Sequence, residues 1–432
     1  MIVAGRVSRR EMGVGHPCGL DFGTSNSTLG VVLDVRPTLV ALEGGDVTLP
    51  SAVFFDAEEG TTLFGREAMA GYVSGAEGRF MRAFKTILGT ALMAERTRIG
   101  KRSVGFTDIL GAFLAHAKKT AEERLGVKLT QVVVGQPAHF VDGDEAADAR
   151  AREQLASVLS DIGFRDIAFQ YEPIAAAFDF EQRAIAGEQL ALIVDIGGGT
   201  SDFSVIRTRP ASAARDRSGD ILATHGVRVG GTDLDRLLAM GEIMPLLGHG
   251  SRLRDKNMPV PSWLYGDLAT WHRVNSLYTP AIRALVGELV REAERPDLVA
   301  RLLDVVERRQ GHALLARAEA AKIALATTRT AWIELVLGDE QVAEALTRSG
   351  FAALVVEPIT RLRLAVAAVL DQAGIAAADI QSVFLTGGTT LAPAVGGLFA
   401  TLCPKATIVP GDRFGSVGMG LAIDAARRFA AG

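Results

Sequence analysis

Hydrophobic runs of strand length alternate with helical patterns along most of this chain. The first clear run starts at Cys18, enters Asp21-Phe22-Gly23-Thr24-Ser25-Asn26-Ser27 and leaves through Thr28 to Leu33. That order predicts two strands joined by a turn of small residues. The same pattern returns at Ala191 to Ile196, continues through Gly197-Gly198-Gly199-Thr200-Ser201-Asp202 and ends in Phe203 to Ile206. Strand, Asp, Gly/Thr turn and returning strand thus occur twice, as a distant internal duplication would leave them. Between the two copies, apolar spacing predicts helices over Thr107 to Leu125, over Glu145 to Ile162 and after Pro173, with strands at Gln131 to Gly135 and Ile167 to Tyr171. The second half predicts a strand at Ile221 to Val229, a helix opening at Asp233 and long helices from about Pro280 to Ala326. A strand at Val383 to Thr386 and a closing helix from Ser416 to Phe429 complete it. This alternation is that of an α/β protein.

Length and composition refine the picture. A chain of 432 residues with 48% hydrophobic content exceeds what one core normally organises, so two lobes are expected. Lys and Arg number 46 against 50 Asp and Glu, which gives no global field to attract nucleic acid or an anionic membrane. Cys18 and Cys403 are too few for a disulfide framework and have no metal-ligand spacing, which fits a reducing cytoplasm. The first 17 residues hold Arg6, Arg9 and Arg10 but no apolar core of a signal peptide, and no membrane-spanning run follows. Residues 1–17 are expected to be a disordered extension, with Met12 an alternative start. The glycine- and proline-rich stretch Gly248 to Pro261 reads as an irregular insertion.

Candidate chemistry lies in the two turns. Phosphate oxygens are bound by backbone N–H groups that approach closely, which glycines and small hydroxyl residues in a tight turn allow. Asp21 and Asp195, one beside each turn, would place carboxylates at strand ends, where a hydrated Mg²⁺ would offset their charge. No G-x-x-x-x-G-K-[ST] loop occurs and no G-x-G-x-x-G joins a strand to a helix, so a phosphate group would be pinched between hairpins. A third element, Phe384-Leu385-Thr386-Gly387-Gly388-Thr389-Thr390-Leu391-Ala392-Pro393, has the strand, glycine pair and helix start suited to a nucleoside, or to plain strand–helix packing.

These segments resemble the DnaK-type (Hsp70) chaperone family. Asp21 to Ser27 looks like its first phosphate loop, Val194 to Asp202 like its second, and Tyr171-Glu172-Pro173-Ile174-Ala175-Ala176-Ala177 like its connecting helix. Gly230-Gly231-Thr232-Asp233-Leu234-Asp235 is similar to a following loop and the Gly387-Gly388 segment to its adenosine loop. Within the family the likeness is to short YegD-type members, through Gly163-Phe164-Arg165-Asp166, Phe169 to Pro173 and Asp412-Arg413-Phe414-Gly415-Ser416-Val417. The resemblance implies an actin-like ATPase fold whose two lobes are each built on a duplicated ribonuclease H-like core. Lobe I would span 18–187 and lobe II 188–411, with a helical insertion at 236–314. Residues 412–432 would return to lobe I, and a peptide-binding domain would be lacking.

The resemblance also implies roles. Gly23, Thr24, Ser25, Asn26, Gly197, Gly198, Gly199 and Thr200 would surround the phosphates of ATP or ADP. Asp21, Glu172 and Asp195 would hold Mg²⁺ mainly through water. Lys85 resembles the catalytic lysine, and Asp202 or Asp195 would orient or deprotonate the attacking water. Gly230, Gly231, Glu319, Lys322, Gly387, Gly388 and Thr389 would enclose the nucleoside. The family pattern is broken where Ile323 replaces an arginine that stacks on the base, Ala326 a serine and Leu391 another arginine. Losing a guanidinium stack costs on the order of 1 kcal/mol, so weaker ATP binding and a less certain base preference are expected. Pro137 matches the family's switch proline, but Glu145 stands where its arginine partner would be, which favours a rigid turn. His139, His225 and His312 read as isolated surface or core residues, and Trp263 and Trp271 as lobe packing or a partner surface. Expected partners are ATP and protein clients or a co-chaperone on the lobe surfaces, without nucleic acid or membrane. The implied activity is slow Mg-dependent ATP hydrolysis. Alternatives are a small-molecule kinase of the same fold, a filament protein, and a nucleotide-dependent binding protein without turnover.

Overall fold

The structure, a computed structural model, describes residues 15–99, 102–137, 139–141, 144–181, 187–209, 217–254, 258–337, 340–411 and 415–429. Residues 1–14 of the expected extension, and Asp412, Arg413 and Phe414, lie outside these. The opening strand begins at His16, two residues before the expected start.

Two large sheets carry the fold, and each is organised around one of the repeated hairpins. In the first, His16–Phe22 pairs antiparallel with Asn26–Leu33 and parallel with Leu129–Gln136, which pairs in turn with Asp166–Tyr171. Arg36–Leu39 extends the opposite side. In the second, Gln189–Ile196 pairs antiparallel with Ser201–Thr208 and parallel with Ser382–Thr386, beyond which lies Thr407–Pro410. Ile221–Val227 completes it next to Ser201–Thr208. Along these five-strand paths the orders correspond position for position, with only the short Leu49–Pro50 added beside Asn26–Leu33 in the first sheet, so the duplication legible in the sequence is one of topology as well.

Central strands read as nearly continuous apolar runs because both faces are covered. Leu192, Val194 and Ile196 join a core with Phe203 and Val205 on one face, while Ala191 and Ile193 join Phe384, Ala175–Ala177, Leu421 and Val133 on the other. That second cluster draws side chains from both sheets and from the helices Glu172–Glu181 and Ser416–Phe429, and so joins the two halves. Small residues permit the approach: a Cβ on Gly420 would stand 1.7 Å from the carbonyl oxygen of Ala175, and one on Gly19 2.3 Å from the Ala422 nitrogen. Cys18 and Cys403 are both buried and free.

Two smaller parts flank the sheets. Ala52–Asp56, Thr62–Phe64 and Gly78–Arg82 form a three-stranded sheet carrying the helix Gly65–Val73. On the other side, the expected long helices are three, Pro280–Glu292, Pro296–Glu307 and Gly311–Ala324: Pro296 can open a helix but not continue one, and Arg309, at φ +54°, separates the second from the third. Each of the first two also has a core-facing side, with Val286 and Leu289 of one and Val299, Leu302 and Val305 of the other buried in the core.

Candidate functional site

The two repeated turns meet. Each is closed locally by its own backbone, Gly23 N donating to Asn26 O at 3.1 Å and Gly197 N to Thr200 O at 2.9 Å. Across the gap, a Cβ on Gly198 would come within 2.7 Å of Ser25 Oγ, so glycine is what lets the turns face at this distance. Gly230 is pressed against the second turn, where its Cβ would lie 2.5 Å from Gly198 C and O. Gly231 N donates to Gly197 O at 3.0 Å, and Thr232 N and Oγ1 donate to Gly198 O at 2.8 and 2.7 Å. Thr389 Oγ1 donates to Gly197 O at 2.9 Å. Both glycine pairs expected at the nucleoside side, Gly230-Gly231 and Gly387-Gly388, therefore back the second turn.

Lys85 enters from the three-stranded part. Ala83, at φ +62°, turns the chain out of Gly78–Arg82 into the short helix Phe84–Ile87, a left-handed geometry that a non-glycine residue adopts only under tertiary constraint. Lys85 Nζ then lies 2.5 Å from Glu172 Oε1, at the first residue of the helix Glu172–Glu181. Burial opposes the lysine's charge, but Glu172, Asp21 and Asp202 outweigh it and hold the ammonium above its ordinary value. Burial, then Glu172, pushes the Asp21 carboxyl up to about 8, with Lys85 acting against the shift. The same two causes push Asp195 up to about 6. Carboxylates crowded around one ammonium in a dry site resist ionising together, and such a cluster favours a cation or a polarised water.

Asp195 and Asp202 are direct cross-strand partners. Beside them lies a cavity of about 300 Å³ reached by Glu172, Asp195, Asp202, His139, His225 and Ser204, with Pro137 in its wall. His139, expected to be isolated, has its Nδ1 3.0 Å from Asp148 Oδ2, and Glu145 is exposed at the first position of the helix Glu145–Asp161 that carries Asp148. Lys322 is buried, 2.8 Å from Asp235, whose carboxyl burial pushes up to about 6 against the lysine's pull. Glu319 and Ile323 on the same helix are exposed.

The sequence reading passed over several residues. Ser51 donates to Gly23 O at 2.7 Å and is 3.0 Å from Ser27 Oγ, bracing the first turn from a distant segment with no local signal. Asp233 accepts from Gly230 N at 2.9 Å, a capping pattern that the sequence Gly230-Gly231-Thr232-Asp233 does show.

A family model described as Hsp70 protein matches residues 17–240 and 298–426. The chain belongs to the Hsp70 family. Its fold is therefore the actin-like ATPase fold that the resemblance implies, and the stretch between the matched parts, 241–297, holds the irregular insertion, Trp263 and Trp271. Among curated relatives, the chain is 25% identical to the chaperone protein DnaK of Mycoplasmopsis agalactiae over 395 residues, 90% of this chain and 54% of that one. It is 24% identical to the DnaK of Ureaplasma urealyticum, again over 90% and 54%, and 26% identical to that of Mycoplasma mobile, over 87% and 52%. This Hsp70-family chain spans about half the length of the curated relatives it matches. No helix among its described residues is long and apolar enough to cross a membrane.

Proposed function

We propose that this Hsp70-family chain binds Mg-ATP and Mg-ADP between its two hairpins and hydrolyses ATP slowly. The observation that carries the reading is the meeting of two matched glycine turns around Lys85, Asp21, Glu172 and Asp195. The turns offer backbone N–H groups to phosphate oxygens. The donor set suits a hydrated divalent cation, because three carboxylates share one ammonium in a site where burial penalises surplus charge. Among the described residues no three acidic, His or Cys side chains converge closely enough to hold a metal directly, so Asp21, Glu172 and Asp195 would hold Mg²⁺ through its water shell. The ion would supply charge neutralisation at the phosphates.

The chain's own groups do the rest. Glu172 holds the Lys85 ammonium ready to approach the γ-phosphate and the attacking water. Asp202 or Asp195 takes the water's proton as its oxygen attacks phosphorus and ADP departs. Thr200 faces the same phosphates from the second turn. Protein clients or a co-chaperone on the lobe surfaces, in the cytoplasm, are proposed on family membership alone.

Phosphate release from ATP with Mg²⁺ tests the reading. Slow turnover is expected in the wild type, with about a hundredfold loss in Lys85→Ala and in Thr200→Ala, while calorimetry still registers nucleotide. No turnover by the wild type would reduce the chain to a nucleotide-binding protein. The cavity beside Asp202 favours one second reading, transfer to a small hydroxyl-bearing acceptor. Its signature is ADP formed without an equal yield of inorganic phosphate when candidate polyols are supplied.

A further inference from the structure

Gly226 lies near the end of the strand Ile221–Val227, directly opposite Asp202. Glycine weakens a strand, so one that persists there usually makes room for something. Its backbone gives no reason, for it is absent from the glycines with left-handed φ. Around the place where a Cβ would stand, beyond the chain neighbours, a single heavy atom falls within 4 Å: Asp202 Oδ1, at 3.0 Å. That is inside the distance at which a carbon and an oxygen pack without strain.

The row across the sheet explains why this matters. Thr386, Asp195, Asp202 and Gly226 are successive cross-strand partners, and all four line the cavity, so they share one face. Like charges directly opposite each other repel, and Asp202 has Asp195 on one side and the bare glycine on the other. Its carboxylate occupies the glycine's side. Two other glycines abut carboxylates of the site, Gly135 at 3.4 Å from Glu172 Oε1 and Gly387 at 2.8 Å from Asp195 Oδ1, but each also meets other atoms.

We propose that Gly226 is a positioning residue, whose missing side chain lets the Asp202 carboxylate stand off from Asp195 at the distance that proton transfer to it requires. The inference rests on the ATPase reading. A methyl group at 226 would push the carboxylate back towards Asp195 by a few tenths of an ångström, and displacements of that order at a reacting group cost rate steeply.

The test is Gly226→Ala. We expect kcat for phosphate release to fall about tenfold, the ADP dissociation constant to change less than about twofold, and the melting temperature to hold, because the obstructing atom ends a flexible side chain. A crystal structure of the variant should show the Asp202 carboxylate moved towards Asp195. An unmoved carboxylate overturns the proposal whatever the turnover, and so does unchanged kcat beside an active wild type. A wild type without turnover sinks the ATPase reading instead, leaving the crystal structure to decide whether Gly226 positions Asp202.

Discussion

At Ile323 an apolar side chain stands 59% exposed, on the face of its helix where the resemblance places the nucleoside. Nothing about packing requires isoleucine there, since its neighbours Ala321 and Lys322 are the buried ones. An arginine at this position would lay a guanidinium on the base, worth about 1 kcal/mol at an exposed site. Ile323→Arg is therefore expected to tighten ATP binding about fivefold, read by calorimetry. Unchanged affinity would mean that the base does not reach this helix. Lys322 shows the opposite relation between sequence and structure. The resemblance gives it a nucleoside contact, and in the structure its ammonium donates to Asp235, 87 residues away, and to the carbonyl of Gly231, 91 away, distances that no local pattern spans.

The helix Phe106–Leu125 shows how an element is tied to its neighbour. Its apolar face buries Ile109, Leu110, Phe113, Leu114 and Ala117, and Gly126, at φ +69°, ends it. Glu122 then bridges to the next strand, accepting from Lys118 at 2.7 Å, Lys128 at 2.7 Å and the backbone N–H of Leu129 at 3.0 Å. Burial raises this carboxyl's pKa, but the three donors outweigh it and hold the group below its ordinary 4.5. The folded state thus gives up the proton more readily than the unfolded chain. The resulting stabilisation is full above pH 4.5 and fades as pH falls through the lower folded value. Urea unfolding of wild type and Glu122→Gln across this range should show an advantage to the wild type that shrinks on acidification. A constant gap would place the effect elsewhere.

Elements of this kind were mostly legible in the chain, because long apolar periods and glycine turns are local signals. Short strands were not. The sheet of Ala52–Asp56, Thr62–Phe64 and Gly78–Arg82 has too few residues to set up a period. The hairpin of Thr330–Leu337 and Glu340–Thr347 alternates buried and exposed positions in its first strand and was legible in principle.

At the scale of the whole molecule, an aromatic cluster joins the three-stranded part to the helical part. Tyr72 stacks on Phe80 at 4.5 Å, and both meet Trp271, at 5.0 and 5.3 Å. His312 lies 5.1 Å from both Tyr72 and Trp271, and its Nε2 is 3.0 Å from the Trp271 carbonyl. Arg82 covers the Trp271 ring at 5.1 Å, and Arg309 donates to Gly75 O at 3.2 Å. Trp271 thus proves to be packing between parts, as one expectation had it, while Trp263 remains 48% exposed. On the ATPase reading, parting these two elements to release nucleotide would break this cluster, and aromatic pairs contribute about 0.5–1.5 kcal/mol each beyond their buried area. Trp271→Ala should accordingly speed release of a fluorescent ADP analogue about tenfold or more in stopped flow. An unaltered release rate would show that the parts separate elsewhere.

Both hairpins, their acids and the order of the family's motifs could be read from the chain, since turn chemistry and apolar period act between residues close in sequence. Packing decided what those pieces do together. Gly198 faces Ser25, Lys85 finds Glu172 across 87 positions, and Gly226 makes room for Asp202, because each contact depends on how two separately formed sheets and their covering helices come to rest against one another.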